Sequence, residues 1–73
     1  IMKKINKAKI KINGKKCIIN PKMTLKEVIA RFKIPLDKVA IELNENIVDK
    51  KELNKIKVKN EDKIEIVHFI GGG

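Results

Sequence analysis

The dipeptide Asn13-Gly14 stands between two short segments of mixed apolar and polar residues. Both central positions of a two-residue hairpin turn need a positive φ angle, which asparagine and glycine adopt readily. The segment before the turn, Ala8–Ile12, alternates strictly between apolar and polar residues, as a strand with one buried face does. The sequence therefore predicts an N-terminal hairpin with a fixed register. Counting outward from the turn gives its pairs: Ile12 with Lys15, Ile10 with Cys17 and Ala8 with Ile19.

A helix is predicted after this hairpin. Thr24 and Glu27 have the spacing of a capping box, in which each side chain bonds the free backbone N–H of the other residue. Apolar residues then recur at the spacing of one helix face. These are Leu25, Val28, Ile29 and Phe32. We predict a helix over residues 25–32, which Pro35 prevents from continuing far.

Three more strands are predicted in the second half of the chain. Val39–Leu43 alternates between apolar and polar positions, and Ile47 with Val48 forms a short fourth strand. Residues 63–70 alternate again and form the last strand. Between them, residues 49–55 are polar apart from Leu53, and we predict a single helical turn on the surface.

The order of these elements is strand, strand, helix, strand, short strand, strand. It predicts an α+β fold of the ubiquitin-like β-grasp type, in which one main helix crosses a mixed five-stranded sheet and a short helical turn lies beside it. The first and last strands would be parallel neighbours, since their connection contains the helix that parallel pairing needs. We expect one domain over residues 1–70 and a flexible glycine tail over residues 71–73.

The composition narrows the class of partner. The net charge is +9, but the lysines are spread along the whole chain. With no Trp or Tyr and only two Phe, little is available for stacking on bases, so we favour a solvated surface over nucleic-acid binding. The single Cys17 rules out an internal disulfide and fits a reducing compartment. No apolar run or leader indicates a membrane or secretion. We expect a cytoplasmic protein that is monomeric on its own.

The side chains offer little for catalysis. His68 is the only histidine, so a zinc site with about four ligands is not expected. Serine is absent, the carboxylates are scattered, and no glycine-rich phosphate loop precedes a helix. Cys17 falls on the predicted buried face, where a small apolar role fits best. We therefore expect no enzyme activity, no metal and no bound cofactor.

The three glycines after the last strand, residues 71–73, can carry chemistry of another kind. A carboxylate becomes an electrophile only when its oxygen is turned into a leaving group, for example in an acyl-adenylate. Only a thin chain can enter a site that encloses both the carboxylate and a nucleotide, and glycine permits such close approach. We predict that Gly73 carries the reactive carboxylate and that Gly71 and Gly72 supply reach.

A docking surface is predicted next to this tail. The alternation places Ile18, Val67 and Phe69 on the sheet face away from the helix, among lysines. Clustered exposed apolar residues beside a functional segment indicate a partner-binding patch. The alternative for Phe69 is that it folds back over the edge of the core. A basic rim predicts an acidic partner surface. The lysines concerned are Lys9, Lys11 and Lys16.

The chain resembles the ThiS family of sulfur carriers in thiamin biosynthesis. The resemblance rests on residues 39–44, followed by Ile47 and Val48, on residues 65–73, and on the helix start at residues 24–29. It implies that a ThiF-type adenylating enzyme activates the Gly73 carboxylate with ATP and magnesium. Sulfur from a cysteine desulfurase would then give a thiocarboxylate, and a ThiG-type thiazole synthase would use that sulfur.

One segment departs from the family pattern. The family often has Pro-Arg after the Ile-Val pair and an aromatic residue soon after, where this chain has Asp49, Lys50 and Leu53. Three alternatives stay open from the sequence. Two use a similar tail: the small subunit of molybdopterin synthase and a ubiquitin-like protein modifier. The third is an RNA-binding β-grasp module of the TGS type, which needs no glycine terminus.

Overall fold

The structure is a computed structural model that describes residues 7–69 of the chain. The predictions for Ile70 and for the tail at residues 71–73 lie outside the described residues. Short 3-10 turns occupy Leu36–Lys38 and Lys50–Glu52. In chain order the other elements are β1 (Ala8–Ile12), β2 (Lys15–Ile19), α1 (Leu25–Arg31), β3 (Val39–Leu43), β4 (Asn46–Val48) and β5 (Lys63–His68).

The five strands form one mixed sheet in the order β2-β1-β5-β3-β4. β1 and β5 are parallel, and the other neighbouring strands are antiparallel. α1 packs on one face of this sheet, where its buried residues join the same core as the strands. The predicted β-grasp arrangement is confirmed. No helix in the described part of the chain is long and apolar enough to cross a membrane.

The N-terminal hairpin has the predicted register. Ala8 pairs with Ile19, Ile10 with Cys17 and Ile12 with Lys15. The turn residues have the expected positive φ angles, 50° for Asn13 and 84° for Gly14. The alternation in β1 also has the predicted effect, because its apolar residues are buried and its lysines are exposed.

The start of α1 is as predicted and its end is not. Thr24 N–H donates to Glu27 Oε1 at 2.8 Å, and Glu27 N–H donates to Thr24 Oγ1 at 3.1 Å, which is the capping box. The prediction that Phe32 continues the apolar stripe is wrong. The helix ends at Arg31, Phe32 is its C-cap, and the Phe32 side chain is 42% exposed.

The core lies between α1 and the sheet. Leu53 belongs to it and is 1% exposed, although the sequence suggested a surface turn. The turn at Lys50–Glu52 is exposed, but Leu53 itself points inward, and its carbonyl accepts the N–H of Lys26 at 3.0 Å. The segment therefore closes the core at the N-terminus of α1. The other buried apolar residues are Ala8, Ile10, Ile12, Ile19, Leu25, Val28, Ile29, Val39, Ile41, Val58, Ile64 and Ile66.

Polar side chains extend the strand pairing at two places. Asn13 Oδ1 accepts the Ile66 N–H at 2.7 Å, and Asn13 Nδ2 donates to the Ile66 carbonyl at 3.4 Å. The asparagine amide thereby continues the pairing of β1 with β5 past the end of β1. Near the start of β5, the buried Asp62 carboxylate accepts from Asn44 Nδ2 at 3.0 Å and from the Lys59 N–H at 2.7 Å. This network ties the β3–β4 turn to β5.

The first prediction concerns the residue after the α1 C-cap. Lys33 has a φ of 56°, and its N–H donates to the Ala30 carbonyl at 3.0 Å, so it holds the left-handed position that usually ends a helix. A lysine there costs about 1 kcal/mol relative to glycine. Lys33→Gly should raise the free energy of unfolding, measured in urea, by several tenths of a kcal/mol. Lys22→Gly changes an exposed residue without a positive φ, and it should not raise the free energy of unfolding. Equal effects of the two substitutions would contradict this prediction.

The second prediction concerns Asn13. Asn13→Gly keeps access to the positive φ but removes both side-chain bonds to Ile66, so the free energy of unfolding should fall by about 1–2 kcal/mol. Asn13→Asp keeps the acceptor for the Ile66 N–H and should lose less. Urea unfolding of both variants provides the measurement. If glycine and aspartate cost the same, the short bond to the Ile66 N–H is not the stabilising one.

Candidate functional site

The sheet face away from α1, which we call the outer face, carries side chains that are not part of the hydrophobic core. On β5 the buried Ile64 and Ile66 alternate with exposed residues. The same alternation on the other strands defines the rest of this face. Its described members are Lys9, Lys11, Lys16, Ile18, Ala40, Glu42, Ile47, Lys63, Glu65 and Val67.

Backbone hydrogen bonds hold β5 in the sheet almost as far as the start of the predicted tail. Val67 lies opposite Ala40 in the antiparallel register with β3. One step beyond the last pair, the Phe69 N–H donates to the Lys38 carbonyl at 3.0 Å. Phe69 is the last described residue, so backbone pairing holds the chain up to two residues before Gly71.

Phe69 does not fold back over the core, since its side chain is 61% exposed. The ammonium of Lys50 lies 5.4 Å from the centroid of the Phe69 ring. A cation at this distance over an exposed ring contributes about 0.5–1 kcal/mol. Lys50 follows β4, so the contact joins the edge of the sheet to the end of β5. It favours one orientation of the ring beside the tail.

The three predicted patch residues lie on one face but not in one cluster. Ile18 is 60% exposed and Val67 is 48% exposed. Ile18 sits opposite Lys9 near the start of β1, whereas β1 meets β5 at Lys63, four residues before Val67. Lys9 itself lies two residues before Lys11, the partner of Lys63. Ile18 and Val67 are therefore offset by six residues, or about 20 Å along the strands at about 3.3 Å per residue. Local alternation gives the face of a residue, but the register between distant strands decides its neighbours.

Sequence reasoning missed Ile47, the most exposed large apolar residue in the described part, at 76%. It faces outward from β4 directly opposite Glu42, which is two residues along β3 from Ala40. The alternation within β4 was a usable signal, because Val48 is half-buried and its neighbour must face the other way. We call Ala40, Ile47, Val67 and Phe69 the tail-end patch.

The two side chains considered for chemistry in the sequence, Cys17 and His68, lie outside this patch. Cys17 is half-buried against the core, and its thiol lies 3.7 Å from the Lys15 carbonyl. His68 is exposed and pairs with Val39, so it faces the helix side of the sheet. Within residues 7–69, no group of three or more His, Cys, Asp or Glu side chains is placed to hold a metal ion.

The described geometry defines a class of protein. A ubiquitin-like β-grasp domain holds its last strand near the middle of the sheet, and that strand runs directly toward a glycine-rich segment. The predicted tail residues, Gly71, Gly72 and Gly73, lie outside the described residues. What the structure shows is the end of β5 up to Phe69, with an apolar patch on the outer face beside it.

The family follows from sequence comparison. The ThiS family model matches residues 4–73, and the chain therefore belongs to the ThiS family. It is 34% identical over 50 residues to the "Sulfur carrier protein ThiS" of Bacillus subtilis, covering 68% of this chain and 76% of that protein.

A solved structure agrees with the fold. The crystal structure of the thiamine biosynthesis protein (ThiS) from Geobacter metallireducens superposes with a TM-score of 0.79 at 25% identity. The match covers 89% of this chain and 99% of that one.

A second kind of relative is much longer. The chain is 38% identical over 65 residues to a "Thiazole synthase" of Paramagnetospirillum magneticum. That match covers 89% of this chain but only 20% of the relative. The chain thus spans about a fifth of the length of the thiazole synthases it matches.

Proposed function

We propose that this ThiS-family chain carries sulfur for thiazole formation in thiamin biosynthesis, with the sulfur held on the carboxyl group of Gly73. The observation that carries the proposal is the family match itself, which runs through β5 and continues to residue 73. The domain is thus a protein carrier and not an enzyme. The chemistry belongs to its tail and to the enzymes that act on it.

The proposed reaction begins with activation of the carboxylate. A carboxylate oxygen of Gly73 attacks the α-phosphorus of ATP, pyrophosphate leaves, and an acyl-adenylate forms. The terminal sulfur of a persulfide, formed with sulfur from the cysteine desulfurase, then attacks the acyl carbon, and AMP leaves. A thiol cleaves the S–S bond of the resulting acyl disulfide, which releases the thiocarboxylate and leaves a disulfide on the donor side. ATP and magnesium belong to the adenylating enzyme. The glycines have no Cβ, so the extended tail can pass a narrow entrance.

The body of the domain supplies position and reach. The Phe69–Lys38 backbone bond fixes the end of the sheet, and any three residues can span at most about 10 Å. That distance is enough to carry a carboxylate into an enclosed site while the folded body stays outside. The tail-end patch would then rest against the rim of that site.

The relatives support a thiazole synthase as one partner, because segments like this chain occur within proteins that bear that name. A ThiF-type adenylating enzyme and a cysteine desulfurase complete the proposed set, as the family resemblance implies. We place this chemistry in the cytoplasm, whose reducing conditions suit both the single Cys17 and a thiocarboxylate.

The third prediction tests the carrier chemistry by intact mass. Incubation with the cognate adenylating enzyme, ATP, magnesium and a sulfur source should add the mass of one sulfur in place of one oxygen. Fragmentation should place that change at Gly73. A chain lacking Gly72 and Gly73 is the control and should gain nothing. No gain in the wild-type chain with its cognate enzyme would overturn the proposal.

The fourth prediction tests the tail-end patch. Phe69→Ala removes an exposed ring and its contact with Lys50, so the free energy of unfolding should fall by only about 1 kcal/mol. Affinity for the adenylating enzyme should fall by about tenfold if the ring is buried at the interface. Isothermal titration calorimetry gives the affinity.

The other phenylalanine provides a matched control. Phe32 is 42% exposed but lies at the end of α1, away from the outer face. Phe32→Ala should leave the affinity for the adenylating enzyme unchanged. Equal affinities of the wild type and Phe69→Ala would remove Phe69 from the proposed contact.

A further inference from the structure

A band of lysines crosses the outer face at the end of the sheet opposite the tail-end patch. Lys11 lies directly opposite Lys16 on β2 and pairs with Lys63 on β5. Lys9 lies two residues before Lys11 on the same strand and face. We call Lys9, Lys11, Lys16 and Lys63 the lysine band. It lines a shallow groove of about 580 Å³ that Ile18 and Glu61 also border.

Few acidic side chains of the domain lie close enough to neutralise the lysine band. Lys63 Nζ lies 3.5 Å from Glu45 Oε2, with both side chains more than half exposed. Within residues 7–69, Lys9, Lys11 and Lys16 have no carboxylate within 4.0 Å. Like charges directly opposite one another on neighbouring strands destabilise a sheet. The isolated domain therefore holds a row of three ammonium groups at a cost to its stability.

A second row of like charge follows at once. Glu65 lies two residues beyond Lys63 on β5, and it pairs with Glu42 on β3. The next row on the same face is apolar, with Val67 opposite Ala40. Along the strands the outer face thus reads lysine, glutamate, apolar, and the last band adjoins the tail.

We propose that the lysine band docks on an acidic protein surface of the adenylating enzyme that receives the tail. This inference rests on the proposed function. The occupant follows from charge complementarity, since carboxylates set opposite Lys9, Lys11 and Lys16 would neutralise the three lysines of the band that have no ion-pair partner within residues 7–69. Ile18, 60% exposed within the groove, would supply the apolar contact that a protein interface needs and a polyanion does not.

The groove fits a nucleic acid less well. No aromatic residue borders it, so bases have nothing to stack on. Lysine offers point charges and not the forked donors that bind a phosphate in bidentate fashion. A phosphate chain that crossed the face would also meet Glu61 in the groove and the row of Glu65 and Glu42 beyond it.

The fifth prediction uses Lys11→Glu, which sits between Lys16 and Lys63. The substitution turns two repulsive neighbours into attractive ones, so the melting temperature should rise or stay the same. The association rate with the adenylating enzyme at low salt should nevertheless fall by about tenfold. The dependence of that rate on salt should become weaker. Stopped-flow fluorescence gives the rates.

Lys26→Glu is the matched control. It changes the net charge equally but lies in the first turn of α1, where a carboxylate is tolerated. Its association rate should fall much less than that of Lys11→Glu. Equal rates for both variants, or an unchanged rate for Lys11→Glu, would overturn the inference. So would binding of a single-stranded RNA oligonucleotide that Lys11→Glu abolishes while association with the enzyme stays intact.

The two proposals can fail separately in this experiment. At saturating enzyme, Lys11→Glu should still gain the mass of the thiocarboxylate, because its tail is intact. A mass gain without any dependence of association on Lys11 would overturn only the lysine docking site. Association that depends on Lys11 without a mass gain in the wild-type chain would overturn the carrier chemistry.

Discussion

The parallel pairing of β1 with β5 joins the N-terminal hairpin to the rest of the sheet. Only Lys11 with Lys63 and Ile12 with Ile64 are in register as paired residues. Two asparagines lengthen this contact. The Asn13 amide bonds Ile66 at one end, and Asn60 Oδ1 accepts the Lys9 N–H at 2.8 Å at the other. A two-stranded hairpin alone is marginal in water, so this pairing is what lets β1 contribute to the core.

The same pairing decides where the C-terminal end of β5 lies in the sheet. Because β1 ends beside Ile64, β5 continues past it with β3 as its described partner up to Val39 and His68. Beyond Ile66, β5 is therefore paired on one side, with β3, and the bond from the Phe69 N–H to the Lys38 carbonyl is the last described backbone bond. This pairing fixes the direction in which the end of β5 runs.

Local signals predicted much of this architecture. The Asn13-Gly14 turn fixed the hairpin pairs, and the Thr24–Glu27 spacing predicted the capping box, because both depend on residues close in sequence. Three features did not follow from such patterns. Phe32 leaves the helix because α1 ends one residue earlier, and Leu53 is buried because its turn packs at the start of α1.

The third feature is the arrangement of the outer face. Alternation assigned Ile18 and Val67 to the correct side of the sheet. Their separation depends on the register of β1 against β5, strands that lie about fifty residues apart in the chain. The sequence contains no local indicator of that register. The tail at residues 71–73 was predicted from its position after β5, and the structure describes the chain only up to Phe69.

The charged rows on the outer face show that this surface is not arranged for the stability of the isolated domain. Alternating signs across β2, β1 and β5 would stabilise the sheet, yet Lys16, Lys11 and Lys63 stand side by side. Under the proposed function, the domain would have to reach one enzyme, leave it and reach another. Exposed lysines raise the rate of encounter more than the lifetime of a complex. Within the proposed function, the same lysines that reduce the stability of the free domain would speed its encounter with each partner.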